Sequence, residues 1–298
     1  MNRISTNPLI GFKPKFKSFT LNLGGQIFHA DRPLVMGILN FTPDSFYAAS
    51  RVSTESEIRD RIYCLLNEGA DIIDIGGQST RPGADIVNPD EERRRLEIVL
   101  NVTGKMTEDL IISVDTFRGE IARFAVEKGA SIVNDVSGGM VDSTMYQTVA
   151  ELGVPYVITH CGYDTNNEVS ESSYDAEGGV TAAVIKLLAF NITEAKAAGI
   201  KDLIADPGFG FAKTVTQNYT LLRDLPVIAE AIESPLLVGM SRKSMLYKPL
   251  GINSNEALTP TVTADTIALL TGASIVRVHD VLAARQTIEI IKRTYNPF

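Results

Sequence analysis

Two adjacent cations interrupt an apolar stretch in the segment 235-PLLVGMSRKSML-246. Apolar residues and glycine precede them, as in a strand that is buried on both faces. Ser241, Arg242, Lys243 and Ser244 therefore lie at the end of a predicted buried strand. Positive charge is costly at such a place unless an anionic or electron-rich group meets it. This segment therefore predicts a binding site.

Polar residues recur at the ends of eight short segments that are rich in Val, Ile and Leu. They are Asn40, Asp74, Asp115, Asn134, His160, Asp206, Lys243 and Arg277. A single polar strand end is as often an ordinary surface residue as a functional one. When parallel strands share a sheet, however, their carboxyl ends meet at one edge, where ligands bind. We therefore expect these side chains to converge on one site.

The acidic and amide members of this set indicate what the site binds. Asp115, Asp206 and Asn134 offer oxygen acceptors at buried strand ends. A carboxylate accepts two parallel N–H bonds from an amidine-like edge, as it does from guanidinium. A flat heterocycle that is rich in N–H donors would satisfy these acceptors.

The basic members indicate a second ligand feature. Arg81, Lys243 and Arg277, together with His279, are typical of an anion site, most simply one for a phosphate or diphosphate. The segment 206-DPGFGFAKT-214 adds two glycines that allow close approach of the backbone and Phe211 as a candidate ring contact. Together, these residues and loops predict a ligand that consists of a donor-rich ring with a phosphate tail.

The elements that position these residues alternate between buried strands and amphipathic helices. In 54-TESEIRDRIYCLLNEGA-70, for example, Ile58, Ile62, Leu65 and Leu66 fall on one helical face. Eight strands separated by helices predict a (β/α)8 TIM barrel, with a doubly wound open sheet as the alternative. We expect one domain over residues 1–298, because no linker or composition shift divides the chain.

An N-terminal β-hairpin and the bulk composition complete the prediction. Residues 18–33 alternate apolar and polar residues around Gly24-Gly25, which predicts a hairpin that caps the bottom of the barrel. A net charge of −8 argues against a nucleic-acid or membrane-surface partner for the whole chain. Two cysteines and no long apolar segment favour a soluble cytoplasmic protein with small-molecule substrates.

Seven ordered motifs at the predicted strand ends resemble dihydropteroate synthase over residues 35 to about 290. They are 36-MGILNFTPDSF-46, 74-DIGGQSTRPGA-84, 113-SVDTF-117, 133-VNDVSGG-139, 206-DPGFGF-211, 239-GMSRKS-244 and 277-RVHDV-281. The resemblance implies a (β/α)8 barrel enzyme of folate synthesis. Members of this family join 6-hydroxymethyl-7,8-dihydropterin diphosphate to p-aminobenzoate, release pyrophosphate and use Mg²⁺.

The resemblance also implies a role for each matching residue. By position, the pterin ring would be held by Asp115, Asn134, Asp206 and Lys243. The diphosphate side would comprise Asn40 as the Mg²⁺ contact, Arg277 and His279. The p-aminobenzoate side would comprise Thr80, Arg81, Pro82, Phe46, Phe211 and Ser244. Lys243, Asp115 and Asp206 would act in catalysis: the two aspartates would stabilise the positive charge that develops as the pterin C–O bond breaks, and Lys243 would span the pterin and p-aminobenzoate.

Two other functions stay open at this point. The pterin-binding domain of cobalamin-dependent methyltransferases shares the barrel and the pterin contacts, but the SRKS and STRPG segments argue against it. A non-catalytic pterin-binding paralogue is the other alternative, because Ala48 replaces an acidic residue that the family usually carries. The resemblance further implies a homodimer, and the predicted helices at 255–272 and 280–294 offer apolar faces for it.

Overall fold

A closed barrel of eight parallel strands forms the centre of the molecule. The computed structural model describes residues 14–41, 55–78, 87–106, 109–161 and 171–295. The barrel strands are β3 (Leu34–Asn40), β4 (Ile72–Gly76), β5 (Ile112–Asp115), β6 (Ile132–Asp135), β7 (Tyr156–Thr159), β8 (Leu203–Asp206), β9 (Leu236–Val238) and β10 (Ala273–Val278). Their Val, Ile and Leu side chains are almost all buried, as expected of strands covered on both faces.

The strands follow one another around the barrel in chain order, and β10 closes it by pairing with β3. Arg277 of β10 lies beside Met36 of β3, so the two ends of the strand sequence meet. The predicted (β/α)8 barrel is therefore confirmed, and the open-sheet alternative is wrong. The single-domain assignment over residues 1–298 stays a prediction.

Helices connect the strands and pack on the outside of the barrel. They are α1 (Glu55–Asn67), α2 (Pro89–Thr103), α3 (Gly119–Glu127), α4 (Met145–Leu152), α5 (Val180–Ala197), α6 (Val215–Ala231), α7 (Ser244–Tyr247), α8 (Leu258–Thr271) and α9 (Val281–Tyr295). Short 3-10 helices occur at Glu171–Glu177, Lys248–Leu250 and Ser254–Glu256. In α1, Ile58, Ile62 and Leu65 are buried, as the helical spacing predicts. Among the described residues, no helix has the length and apolar character that crossing a bilayer requires.

The N-terminal hairpin closes the bottom of the barrel, as predicted. Strands β1 (Phe19–Leu23) and β2 (Gln26–Ala30) pair antiparallel, and Gly24 and Gly25 form the turn with positive φ. Leu21 and Ala30 pack in one cluster with inward-facing barrel residues. The hairpin therefore shields the lower end of the barrel from water.

The barrel interior is apolar at the bottom and polar at the top. Met36, Ile72 and Val157 belong to the lower apolar cluster. Two positions further along their strands, β4 and β7 carry the buried polar residues Asp74 and Thr159. Because side chains alternate between the two faces of a strand, each residue two positions on faces the same interior. The site therefore rests on a rigid hydrophobic floor.

Candidate active site

An arginine between two carboxylates forms the deep part of the site. Arg277 Nε donates to Asp74 Oδ2 at 2.7 Å, and its Nη2 donates to Asp115 Oδ2 at 2.8 Å. Both carboxylates are almost fully buried. Burial opposes the charge of Arg277, but Asp74 and Asp115 outweigh this effect and raise its pKa. The guanidinium thus holds two carboxylates from neighbouring strands in fixed positions.

Asp115 keeps one oxygen available for a ligand. Its Oδ1 is buried and has no hydrogen-bond partner among the described residues, as is also true of Asp74 Oδ1. Burial raises the pKa of Asp115 to about 7, although Arg277 opposes the shift, and Asp74 adds to it. Leaving such an acceptor unpaired costs about 1–3 kcal/mol. A ligand N–H that reached this oxygen would recover that free energy.

Asn134 adds a second acceptor next to Asp115. The two residues are register partners on β6 and β5, and Asn134 Nδ2 donates to Asp74 Oδ2 at 3.1 Å. An ionised carboxylate only accepts, so the amide nitrogen must face Asp74. The amide oxygen of Asn134 is therefore the atom left to accept from a ligand.

Lys243 lies on the other side of the barrel mouth, between Phe209 and Phe211. Its ammonium donates to the Phe209 carbonyl and lies 4.5 Å from the centre of the Phe211 ring, within the range of a cation–π contact. Burial lowers the pKa of Lys243 to about 8, and Asp206 opposes this shift. Burial also raises the pKa of Asp206, and Lys243 opposes that shift. The ammonium, the carboxylate and the ring thus line one wall.

The two adjacent cations of the SRKS segment point in different directions. Arg242 adopts a left-handed backbone conformation with φ of 56°, which is uncommon for a residue with a side chain. Its guanidinium turns outward and forms a bidentate ion pair with Asp280 at 2.8 Å. This reversal of direction lets Lys243 enter the site while Arg242 anchors the turn from outside.

A buried lysine fixes the loop that carries Asp206 and Phe211. Lys213 Nζ donates to the carbonyls of Gly208 at 2.8 Å and Phe211 at 3.2 Å, and it contacts His160 Nδ1 at 2.9 Å. Burial lowers the pKa of His160 to about 3, with a further contribution from Lys213, so the ring is neutral and accepts. The loop is thereby attached to the end of β7.

Glycine is required at the start of this loop. Gly208 has φ of +72°, and a Cβ there would lie 1.9 Å from the carbonyl oxygen of His160. Its backbone N–H donates to Asp206 Oδ1 at 2.7 Å. Because the Gly208 backbone passes this close to the end of β7, its N–H can hold the Asp206 carboxylate in place.

The mouth of the barrel carries further polar residues from β3, β9 and β10. Asn40 ends β3, and its Oδ1 lies 3.1 Å from the position that a Cβ on Gly76 would occupy. His279 lies beyond β10, and its Nδ1 and backbone N each lie 3.1 Å from Ser241 Oγ. Ser244 begins α7 and is partly buried. Because β3 and β10 are neighbours, Asn40 and His279 share one side of the mouth.

The structure brings together nine of the predicted side chains at one end of the barrel: Asn40, Asp115, Asn134, Asp206, Phe211, Lys243, Ser244, Arg277 and His279. Four others lie outside the described residues: Phe46, Thr80, Arg81 and Pro82. Two residues that hold the site together, Asp74 and Lys213, were assigned no role in the prediction from sequence. Asp74 belonged to the strand-end set, and Lys213 was a cation in a glycine-rich loop, so each carried a signal.

Asn40, the predicted Mg²⁺ contact, offers a side-chain oxygen at the mouth of the barrel. Within the described part of the chain, no group of three or more His, Cys, Asp or Glu residues is placed to hold a metal ion. Mg²⁺ usually keeps several waters and binds one or two protein oxygens together with substrate phosphates. The Asn40 side-chain oxygen at the mouth fits that mode, in which the phosphate supplies most of the ligands.

Comparisons with known proteins identify the family. The pterin binding enzyme family matches residues 36–279, a range that contains all eight barrel strands except the start of β3. The chain belongs to this family.

The relatives of the chain bear a more specific name. It is 36% identical over 281 residues to the dihydropteroate synthase of Clostridium beijerinckii, covering 92% of this chain and 100% of that protein. The dihydropteroate synthase of Xanthomonas albilineans, solved with 4-aminobenzoic acid, is 36% identical with a TM-score of 0.83, covering 93% of this chain and 98% of that chain.

Longer plant proteins also match. The mitochondrial folate synthesis bifunctional protein of Arabidopsis thaliana is 40% identical over 277 residues, which covers 88% of this chain. The chain spans about half the length of that relative, with 50% of it covered. The similarity to the bifunctional proteins therefore concerns one part of them.

Proposed function

We propose that this protein is a dihydropteroate synthase. The reaction joins 6-hydroxymethyl-7,8-dihydropterin diphosphate to p-aminobenzoate and gives 7,8-dihydropteroate and pyrophosphate. The observation that carries the proposal is the convergence of buried acceptors, above all the unpaired Asp115 Oδ1, opposite the ammonium of Lys243. Similarity to proteins of that name over almost their whole length supports it.

The pterin ring would lie between the two walls of the barrel mouth. Its N–H groups would donate to Asp115 Oδ1, to the Asn134 amide oxygen and to the Asp206 carboxylate. Lys243 would donate to a ring acceptor from its position over the Phe211 ring. Each contact uses an atom that is already held in place, so little conformational entropy is lost on binding.

The chemistry requires stabilisation of charge more than a strong base. The bond between the pterin methylene carbon and the diphosphate oxygen breaks, and pyrophosphate leaves with the bonding electrons. The amine nitrogen of p-aminobenzoate forms the new C–N bond and releases one proton to solvent. Positive charge that develops on the ring is stabilised by Asp115 and Asp206, which are preorganised in a low-dielectric site.

The leaving group would meet the side of the mouth that β3 and β10 share. His279 would bind the diphosphate there, and Arg277 would add positive charge from below. Asn40 would contact Mg²⁺, which supplies charge neutralisation to the pyrophosphate oxygens when bound. The ends of β3 and β10 would therefore form the anion side of the pocket.

The second substrate would enter next to Lys243, near the ends of β8 and β9. Phe211 and Ser244 would contact p-aminobenzoate from the described part of the chain. Phe46, Thr80, Arg81 and Pro82 complete the proposed pocket by their place in the family motifs. Lys243 lies at the junction of the two substrates in this arrangement.

One assay tests the proposal. The purified full chain is incubated with the pterin diphosphate, p-aminobenzoate and Mg²⁺, and pyrophosphate and dihydropteroate are measured together. We expect both products in equal amounts, only when both substrates are present, with strong loss on removal of Mg²⁺ by a chelator. Pterin binding without turnover would instead support the non-catalytic paralogue, and absence of pterin binding would contradict both.

The raised pKa of Asp115 predicts how pterin binding depends on pH. Both oxygens of the ionised Asp115 carboxylate accept N–H bonds, and its pKa is about 7. Protonation below that pH turns one oxygen into a donor and removes the negative charge, so affinity for 6-hydroxymethylpterin is expected to fall by up to about tenfold per unit of pH below 7. Calorimetric titration between pH 5.5 and 8.5 measures this dependence.

The Asp115→Asn variant provides the control for the pH experiment. It keeps the shape of the side chain but has no proton to lose, so weak and nearly pH-independent binding is expected. An unchanged pH dependence in this variant would assign the titration to another group. A flat profile in the unaltered protein would contradict the proposed acceptor role of Asp115.

We also infer that the protein forms a homodimer in the cytoplasm. The last two helices expose Leu258, Ile267, Leu282 and Ile290, each at least 40% accessible, and apolar residues gathered on one surface are typical of an interface. Cys64 and Cys161 form no disulfide within the described chain, which is consistent with a reducing compartment. Light scattering after size exclusion gives the mass: twice the chain mass supports the dimer, and a monomer at micromolar concentration contradicts it.

A further inference from the structure

Asp74 lies below the mouth and bonds to two side chains of the candidate site. Its Oδ2 accepts from Arg277 Nε at 2.7 Å and from Asn134 Nδ2 at 3.1 Å. The side chain is fully buried on β4, below the mouth. Among the described residues, Asn134 Nδ2 makes no other hydrogen bond. The bond to Asp74 is therefore the contact that distinguishes the two ends of the Asn134 amide.

This contact has a consequence for what the pocket accepts. An amide can present either its oxygen or its nitrogen after a rotation of 180° about its terminal bond. With a carboxylate below it, the nitrogen faces down and the oxygen faces the ligand. With an apolar side chain below it, the amide nitrogen would lose its acceptor, which favours the flipped orientation with the nitrogen towards the ligand. Only a minor fraction of the protein would then present the amide oxygen to the ligand.

We infer that Asp74 is a positioning residue that orients the Asn134 amide, so that the pocket selects a ligand with an N–H donor at this point. The inference rests on the proposed function, because it assumes that the pocket binds a pterin. Asp74 does not need to touch the ligand. Its role is to make Asn134 an acceptor at all times, so that the orientation is set before binding.

Three variants test the role by affinity for 6-hydroxymethylpterin, measured by calorimetry on the full chain at pH 8. Asp74→Leu keeps the volume but removes the acceptor, and we expect the dissociation constant to rise about tenfold or more. Asp74→Asn retains an oxygen that accepts from Asn134, so we expect a change below about threefold. Asn134→Ala removes the oriented group itself and is expected to weaken binding at least as much as Asp74→Leu.

The double variant Asp74→Leu/Asn134→Ala separates positioning from a direct or general effect. If Asp74 acts through Asn134, the double variant binds like Asn134→Ala alone, within about threefold. Losses that multiply would overturn the inference. So would an Asp74→Asn variant as weak as Asp74→Leu, because the charge rather than the accepting oxygen would then matter.

A matched control accounts for loss of stability. Asp71 precedes the same strand and accepts from Arg32, Arg285 and the backbone N–H of Val35, at the opposite end of the barrel. Asp71→Leu is expected to lower the melting temperature and leave the dissociation constant unchanged. If Asp74→Leu does not fold, Asp74→Ser replaces it in the cycle, because its shorter side chain does not reach Asn134.

The outcomes also separate this inference from the proposed function. If the unaltered protein binds no pterin, the proposed function is contradicted by that measurement alone, without the variants. If the unaltered protein binds pterin but the affinity pattern differs from that expected, only the role of Asp74 is overturned.

Discussion

Replacing Lys243 by alanine is expected to reduce pyrophosphate release by about a hundredfold to a thousandfold. The ammonium lies over the Phe211 ring and beside Asp206, at the junction of the two proposed substrates. Loss of one preorganised charged group at a reaction centre typically costs 10²–10³ in rate. Asp206 also loses its neighbouring cation, which raises the pKa of that buried carboxyl further. Initial rates with both substrates saturating measure the effect.

Two controls show whether the loss is specific to Lys243. Lys248 lies exposed a few residues further along the chain, so Lys248→Ala makes the same change without entering the site and is expected to leave the rate unchanged. Lys243→Met keeps an unbranched apolar side chain at this position and removes the ammonium. A rate for Lys243→Ala within tenfold of the unaltered protein would contradict the proposed role.

Replacing Arg277 by methionine is expected to weaken both the fold and the binding of free pterin. The guanidinium is the group that bridges the buried carboxylates of Asp74 and Asp115. Removing one partner of a buried ion pair typically costs about 3–5 kcal/mol, because the other charge is left uncompensated. Denaturant unfolding measures the stability, and calorimetry with 6-hydroxymethylpterin measures binding.

This expectation differs from the one that the sequence alone suggests. A residue that only grips the diphosphate would leave binding of free pterin almost unchanged when it is replaced. Because Arg277 holds Asp115, we expect free pterin and pterin diphosphate to lose affinity together. Normal binding of free pterin by Arg277→Met would contradict this expectation and support a role for Arg277 as a contact of the diphosphate alone.

The stability loss in Arg277→Met should depend on pH with a defined sign. Burial already raises the pKa of Asp115 in the folded protein to about 7, above the unfolded value of about 3.9, and Arg277 opposes that shift, so loss of the guanidinium raises the pKa of Asp115 further. The additional loss of stability is therefore absent at low pH and develops as pH rises above about 7, the folded pKa of Asp115 in the unaltered protein. The deficit is therefore expected to be smaller at pH 5 than at pH 8.

Arg285→Met is the matched control for Arg277→Met. Arg285 pairs with Asp71 at 2.8 Å near the bottom of the barrel, so its loss also breaks a partly buried ion pair. We expect reduced stability with unchanged pterin affinity. Equal effects of the two variants on binding would mean that general destabilisation explains both.

The polar strand ends were predictable because their position depends on local sequence. The alternation of apolar segments and amphipathic helices predicts eight parallel strands, and the carboxyl end of each is visible as the residue where the apolar segment stops. Asp115, Asn134, Asp206 and Lys243 could therefore be assigned to one rim. The hairpin at 18–33 was equally visible, because its turn and alternation lie within a short segment.

Local sequence patterns set which residues reach the mouth of the barrel, whereas long-range packing sets which of them bond to each other. Arg277 pairs with Asp74 and Asp115 across 203 and 162 residues of chain, and no local pattern encodes that choice. Closure of β10 on β3 and the stagger of the strands bring the guanidinium between the two carboxylates. The same long-range packing sets the outward turn of Arg242, because its bonds to Asp280 and Ser254 form only once the last helices are in place.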